Sequence, residues 1–212
     1  MSARRIEVCP DAVHLPAYLT LDAQRALAER CRSIGMSPTG WYVPTVRGGG
    51  RMRVRMVCLG RHWNARTYRY EAVRSDYDGL PAPALPADLA VLASRLAADA
   101  GMRLTPDVCI LNHYNLDGKM GLHQDKDEDP DTLESGVPIV SVSIGDTAKF
   151  ILGGRTRRDT RTTVLLASGD GFVFGGRSRL RYHGVAALLP GTAPPELGLE
   201  GRFNLTFRQG AV

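Results

Sequence analysis

The run Leu111-Asn-His-Tyr-Asn-Leu-Asp-Gly-Lys-Met-Gly-Leu-His123-Gln-Asp125-Lys-Asp127-Glu128 organises the chain. His123 and Asp125 sit two apart, so on an extended segment both side chains leave from one face. An imidazole and a carboxylate aimed at one point, joined by a second distant His, make a two-His-one-carboxylate metal triad. Such a triad leaves coordination positions open and suits non-haem Fe(II) oxygen chemistry. Alone, a His-x-Asp pair also occurs by chance in ordinary loops, so the reading depends on the rest of the chain.

Just upstream, Ile110, Asn112 and Tyr114 alternate onto one face, offering an amide and a phenol as donors. Far downstream, Arg202-Phe-Asn-Leu-Thr-Phe-Arg208 reads as a strand with Phe203, Leu205 and Phe207 on a core face. Its other face carries Arg202, Asn204, Thr206 and Arg208, two cations with no acid, and is either solvated or filled by an anion. The two Arg lie roughly 20 Å apart along an extended strand, a span their flexible arms can close on the two ends of a dicarboxylate. Arg179-Leu-Arg-Tyr-His183-Gly184 supplies the distant His, which by itself could equally be a hydrogen-bonded structural residue.

Short β-rich runs near 107–114, 138–144, 148–152, 161–167, 171–174, 180–185 and 202–208 are separated by glycine-rich turns. That spacing predicts a mainly β (α+β) protein with a jelly-roll, cupin-like core, a double-stranded β-helix. Thr20 caps a predicted helix over 21–34 stopped by Gly35. Leu89, Leu92 and Leu96 mark a second helix of about fourteen residues after the stiff 80–86 connector, closed by Gly101. Residues 1–19 read as irregular. Arg51-Met-Arg-Val-Arg-Met56 alternates as a half-buried strand, hinged on Gly48-Gly49-Gly50 like a flap. We expect residues 1–86 to hold a helix and an Arg-rich lid, and 87–212 a helix and the jelly roll, as one compact unit.

Of 27 basic residues, 24 are Arg, and the chain carries a net charge of +5. Residues 47, 51, 53, 55, 61, 66, 69 and 74 are Arg against one acid, Glu71. A GC-rich genome or a solvated face accounts for some of this excess. The single-sign clustering, and the flat two-pronged guanidinium, point to an anionic polymer. No apolar run approaches membrane-spanning length, and the N-terminal stretch lacks a signal-peptide core. Cys9, Cys31, Cys58 and Cys109 have no zinc-ligand spacing, and scattered thiols suit a reducing, cytoplasmic setting.

Taken together, Asn112-x-Tyr114, Met120-x-x-His123-x-Asp125-Lys-Asp127-Glu128, Pro138-Ile-Val-Ser-Val-Ser143, Ser178-Arg-Leu-x-Tyr-His183-Gly and Arg202-x-Asn-Leu-Thr-Phe-Arg208 closely resemble the AlkB family over residues 50–210. The resemblance implies an Fe(II)/2-oxoglutarate-dependent dioxygenase using O2. Its reaction would be oxidative demethylation of 1-methyladenine and 3-methylcytosine in DNA, with RNA as a further substrate. Succinate, CO2 and formaldehyde would be released. By this resemblance His123, Asp125 and His183 look like the iron ligands. Arg202, with Tyr114 and Asn204, resembles the distal-carboxylate partner; Arg208 and Asn112, with Thr206 nearby, resemble partners of the carboxylate beside the keto group.

The resemblance also makes Asp127 a reader of the base's exocyclic nitrogen, Trp63 its stacking partner, Tyr70 a nucleotide contact and Arg157 a phosphate neighbour. A solvated acid and ordinary core aromatics are the bland alternatives. The target would be single-stranded or flipped from a duplex, bound by a monomer. Residues 129–137 are longer and more acidic than the family pattern, which puts substrate preference in doubt. His113 and Phe174 also depart from it. Competing expectations are a 2-oxoglutarate-dependent hydroxylase of RNA or protein, and a non-catalytic jelly-roll metal-binding module.

Overall fold

A computed structural model describes residues 4–210. The chain begins with β1 (Ile6–Cys9), β2 (Ala12–Leu15) and α1 (Leu21–Gly35), then β3 (Arg55–Leu59) and the short pair β4 (His62–Asn64) and β5 (Arg69–Glu71). After α2 (Ala87–Asp99) come β6 (Val108–Tyr114), β7 (Met120–His123), α3 (Pro130–Glu134), β8 (Ile139–Gly145) and β9 (Thr147–Leu152). β10 (Thr162–Leu166), β11 (Gly171–Phe174), β12 (His183–Leu189) and β13 (Arg202–Arg208) complete it.

Seven strands form the major sheet in the order β1-β2-β11-β8-β13-β6-β3, and four form the minor sheet, β10-β9-β12-β7. All pairings are antiparallel among the described strands. This is the jelly-roll double sheet that the strand spacing predicts.

Period-two alternation decides which side of β13 meets which layer. Phe203, Leu205 and Phe207 join Leu27 and Cys31 of α1 and Leu89, Ala93 and Leu96 of α2 in the core beneath the major sheet. A second core between the sheets contains Tyr114, Phe172 and Phe174 from one side and Phe150, Val164 and Val185 from the other. The polar face of β13 therefore points inward, between the sheets. Arg202 is 1% exposed and Arg208 7%, so the solvated-strand alternative fails.

Both predicted helices form. Thr20 caps α1 by accepting from the Ala23 amide at 3.3 Å. Gly35 is the last residue of that helix, and its missing side chain makes room: a Cβ there would fall 1.9 Å from the Trp41 ring. Trp41 in turn stacks on Phe203, linking the helix end to β13.

Several expectations shift. Residues 1–3 of the stretch read as irregular lie outside the described residues. The remainder contains β1 and β2, because β2 finds a partner in β11 far along the chain. The strand expected over 51–56 begins only at Arg55; before it, bridges Tyr42–Met56 and Thr45–Arg51 hold an irregular ribbon around the Gly48-Gly49-Gly50 turn. Its burial still alternates, with Arg51, Arg53 and Arg55 exposed and Val54 and Met56 buried. The strand expected at 180–185 starts at His183 and runs to Leu189, since the chain is still turning before it, with Arg181 N donating to Ser178 O at 3.1 Å. The longer, acidic stretch 129–137 includes α3, N-capped by Asp129. None of them lines either cavity described below.

Candidate active site

β7 and β12 are neighbours in the minor sheet, and their register sets His123 opposite His183 with ring centroids 4.4 Å apart. Gly184 allows this approach, since a Cβ there would lie 2.6 Å from the Met120 carbonyl oxygen. Asp125 follows β7 directly. His123, Asp125 and His183 each offer one ligand atom, all within 4.8 Å of one another.

Each ring is oriented by a backbone carbonyl: His123 Nδ1 lies 2.9 Å from Gly121 O, and His183 Nδ1 lies 3.0 Å from Arg181 O. A carbonyl only accepts, so each Nδ1 carries the proton and each Nε2 presents a lone pair. Both lone pairs face Asp125 Oδ1, at 3.3 and 3.7 Å. Three acceptors aimed at one point call for a cation among them, and the donor set suits a divalent transition metal.

The electrostatics without a cation show the same tension. Burial works to lower the His123 pKa, but the Asp125 carboxylate outweighs it and raises it, so that with no cation between them a proton on Nε2 is favoured in the cation's place. Burial, helped by the His123 charge, pushes His183 down to about 4, so its imidazole is neutral at ordinary pH. Burial would raise Asp125, yet the Arg208 guanidinium and the two rings hold it well below the usual carboxylate range.

Behind the triad lies a narrow cavity of about 50 Å³ between the sheets. Asn112, Tyr114, Arg202, Asn204, Thr206 and Arg208 all line it, so every expected cosubstrate residue is brought together. β13 pairs with β6 so that Arg202 opposes Tyr114 and Asn204 opposes Asn112. Arg202 gives Nη2 to Ser143 Oγ at 2.6 Å and Nη1 to Leu166 O at 3.0 Å, while its buried Nε has no partner among the described residues. Burial lowers Arg202 to about 10, leaving it a cation with an unused donor. Among the described residues the Tyr114 hydroxyl meets only the Met120 sulfur, at 3.9 Å. An enclosed wall of surplus donors suits an anion such as a short diacid.

Two expected residues are engaged differently. Asn204 spends its amide on Ser141 Oγ and Val142 O of β8, and its Oδ1 accepts from Thr206. Arg208 grips Asp125 Oδ2 through Nε at 3.1 Å and Nη2 at 2.5 Å, and lies 3.1 Å from Glu128.

Outside the triad opens a larger cleft of about 730 Å³, and Asn112, Met120, His123, Asp125 and Arg208 line both spaces. Trp63, Tyr70, Asp127 and Arg157 line the cleft, as does Tyr68, which the sequence reading did not single out. Trp63 Nε1 donates to Asp127 Oδ2 at 2.8 Å, joining the β4–β5 pair to the acid two places past the metal-side Asp125. Burial raises Asp127, and the nearby Asp125 charge adds to that rise. Arg157 lies over the Tyr182 ring at 5.0 Å.

Six arginines of the 47–74 run are exposed and Arg61 is half-buried. Arg74 departs from the expected surface role: it is 3% exposed, set between the rings of Tyr42 and Tyr77. Among the described residues no helix is long and apolar enough to cross a membrane.

Residues 11–208 match the 2OG-Fe(II) oxygenase superfamily. The chain is 39% identical to the Arabidopsis thaliana protein called DNA N(6)-methyladenine demethylase ALKBH1C, over 94% of this chain and 48% of that one. It thus spans about half the length of the plant relatives it matches. It is 40% identical to the alpha-ketoglutarate-dependent dioxygenase AlkB of Salmonella typhimurium, over 96% of this chain and 92% of the other. The solved structure of OsALKBH1 superimposes with a TM-score of 0.91 at 36% identity, covering 97% of this chain and all of that one.

Proposed function

The chain belongs to the AlkB family of the 2OG-Fe(II) oxygenase superfamily, and from that membership we propose that it oxidatively demethylates N-alkylated bases in DNA. His123, Asp125 and His183 hold the ferrous ion through Nε2, Oδ1 and Nε2. Arg202, with the Tyr114 hydroxyl, takes the distal carboxylate of 2-oxoglutarate; Asn112 and Arg208 face the end nearer the metal. When bound, the iron and 2-oxoglutarate supply an O2-dependent oxidant that hydroxylates the N-methyl group, with succinate, CO2 and formaldehyde as products.

The chain's own residues do the positioning. The carbonyls of Gly121 and Arg181 lock the two rings, and the enclosed β13 face excludes bulk water from the diacid. Trp63 stacks on the extruded base; Asp127 accepts from its exocyclic amine; Tyr70 and Arg157 contact the nucleotide. Methylation on the pairing edge weakens pairing and so lowers the cost of extrusion. The exposed arginines of 47–69 supply sequence-independent attraction to phosphates. We place the protein in a reducing, cytoplasmic setting, as its four scattered cysteines suggest.

The observation that carries this reading is the continuity of the two cavities at Asn112, Met120, His123, Asp125 and Arg208. Trp63, Tyr68 and Tyr70 line the outer cleft alone and Arg202 the inner slot alone, while His123 and Asp125 line both. A second reading, demethylation of N6-methyladenine in DNA, is favoured by the names of the plant relatives. Mass spectrometry of DNA and RNA oligonucleotides carrying 1-methyladenine, 3-methylcytosine or N6-methyladenine tests both, with iron and 2-oxoglutarate omitted in turn. Methyl loss from the first two in DNA supports the first reading, and loss confined to N6-methyladenine supports the second. Turnover of RNA alone, or no cosubstrate-dependent loss from any oligonucleotide, overturns both.

A further inference from the structure

Glu128 lies three residues past Asp125, and its side chain is 1% exposed. A carboxylate so far from water needs cationic or hydrogen-bonding partners. It finds Arg179 Nη2 at 2.9 Å, Arg208 Nε at 3.1 Å, and the Tyr70 hydroxyl, which donates to Oε1 at 3.4 Å. Arg179 is just as enclosed, at 2%. It donates Nε to Val137 O at 2.9 Å and Nη1 to the carbonyl oxygen of Asp125.

Asp125 is therefore held at two points. Arg179 fixes its backbone carbonyl, Arg208 occupies its Oδ2, and Glu128 ties the two guanidiniums together. The charges balance, two cations against two carboxylates, before anything binds. A buried ion pair seldom adds stability over a well-packed apolar pair, so orientation is where this one can contribute most. With Oδ2 committed to Arg208, only Oδ1 is left to face the two imidazole Nε2 atoms. Asp125 can then contribute a single oxygen to a metal, and the remaining coordination positions stay open.

We propose that Glu128 and Arg179 are positioning residues of the metal centre, acting through Arg208 and the Asp125 backbone to present Oδ1 alone. This rests on the functional reading above. The Tyr70 hydroxyl, from the β4–β5 pair, connects the same bridge to the wall of the nucleotide cleft.

The test is Co(II) binding to the purified full chain, followed by d–d absorption with and without 2-oxoglutarate. Circular dichroism sets a temperature at which each protein is folded, so that affinity reports the site rather than the fold. Partners behind a metal ligand typically change affinity 10- to 100-fold. Glu128→Gln should weaken Co(II) binding by roughly that factor and change the d–d intensity, as Oδ2 becomes available and the coordination number rises. Arg179→Lys keeps a cation opposite Glu128 but cannot reach both Val137 O and Asp125 O; it should weaken binding by about tenfold. It decides the matter alone if Glu128→Gln does not fold. Wild-type affinity and spectrum in the folded variants overturn the inference while the functional reading stands. Failure of the wild-type chain to bind Co(II), or to respond to 2-oxoglutarate, overturns the functional reading and this inference with it.

Discussion

His123 and His183, far apart in the chain, are register partners across β7 and β12, and each spends its Nδ1 proton on a carbonyl two residues before it. The two lone pairs and Asp125 Oδ1 are left facing one another with no donor among them. Asp125→Ala removes the only negative charge of the three and should abolish Fe(II)-dependent succinate release while the jelly roll still folds. Full release in the folded variant would mean that the metal sits elsewhere.

Arg202 is the buried end of the proposed diacid clamp. Hydrogen bonds to charged partners contribute about 1.5–3 kcal/mol each, so Arg202→Lys, which loses the planar fork, should raise the KM for 2-oxoglutarate roughly 10- to 100-fold. Saturating 2-oxoglutarate should recover most of kcat. Steady-state kinetics over a range of cosubstrate concentrations decides it, and an unchanged KM would remove Arg202 from the clamp.

The β13 site was legible from sequence because alternation and residue type agree: aromatics on one face, two cations and two small polar residues on the other. The same locality exposed α1 and α2. What stayed hidden depends on partners distant in sequence. β1 and β2 are short runs that become strands only because β2 lies beside β11. The letters of Arg74 match its exposed neighbours, and the rings of Tyr42 and Tyr77 with the Asp78 carboxylate take it out of the surface. Glu128 sits among other acids in sequence, and its burial follows from Arg179, just past the 3-10 turn Gly176–Ser178, and Arg208 of β13 arriving from elsewhere in the chain.

Trp63 should matter for nucleic acid and not for cosubstrate. Stacking on an aromatic ring contributes about 1–3 kcal/mol per base, so Trp63→Ala should weaken binding of a methylated single-stranded oligonucleotide by roughly 5- to 150-fold. The KM for 2-oxoglutarate should stay within about twofold of wild type, because Trp63 lines only the outer cleft. Fluorescence anisotropy and succinate assays on the same preparation separate the two effects. Unimpaired oligonucleotide binding would return Trp63 to an ordinary packing role.

Asp127 gives a pH prediction. Burial first, then Asp125, raises its folded pKa above the model-peptide value of 3.8, against the hydrogen bond from Trp63. A carboxylate raised on folding binds its proton more readily in the native state, so its contribution to stability falls as pH rises from 3.8 through the folded value. Above that window the penalty is complete. Asp127→Asn should therefore raise the Tm of the metal-free protein at neutral pH, lose that advantage below pH 3.8, and reduce turnover of the methylated base. A variant less stable than wild type at neutral pH would show that the charged form is not penalised.

Salt tests the Arg-rich rim. Arg47, Arg51, Arg53, Arg55, Arg66 and Arg69 form one bank along the sequence and Arg155, Arg157, Arg158 and Arg161 a second; all are exposed, none pairs with a carboxylate among the described residues, and Arg157 lines the outer cleft. Asp159 locks the second bank by accepting from the Thr156 amide and hydroxyl, so these arginines stand on a fixed turn. Exposed cations without carboxylate partners should release counterions when a strand binds, giving a log–log slope of about −0.7 per phosphate neutralised on single-stranded DNA. Each Arg→Ser substitution at 51, 53, 157 or 158 that removes one contact should shallow that slope by about 0.7. Anisotropy measured from low to moderate salt reads it directly. A slope near zero in the wild-type chain would mean that phosphates do not lie along these banks.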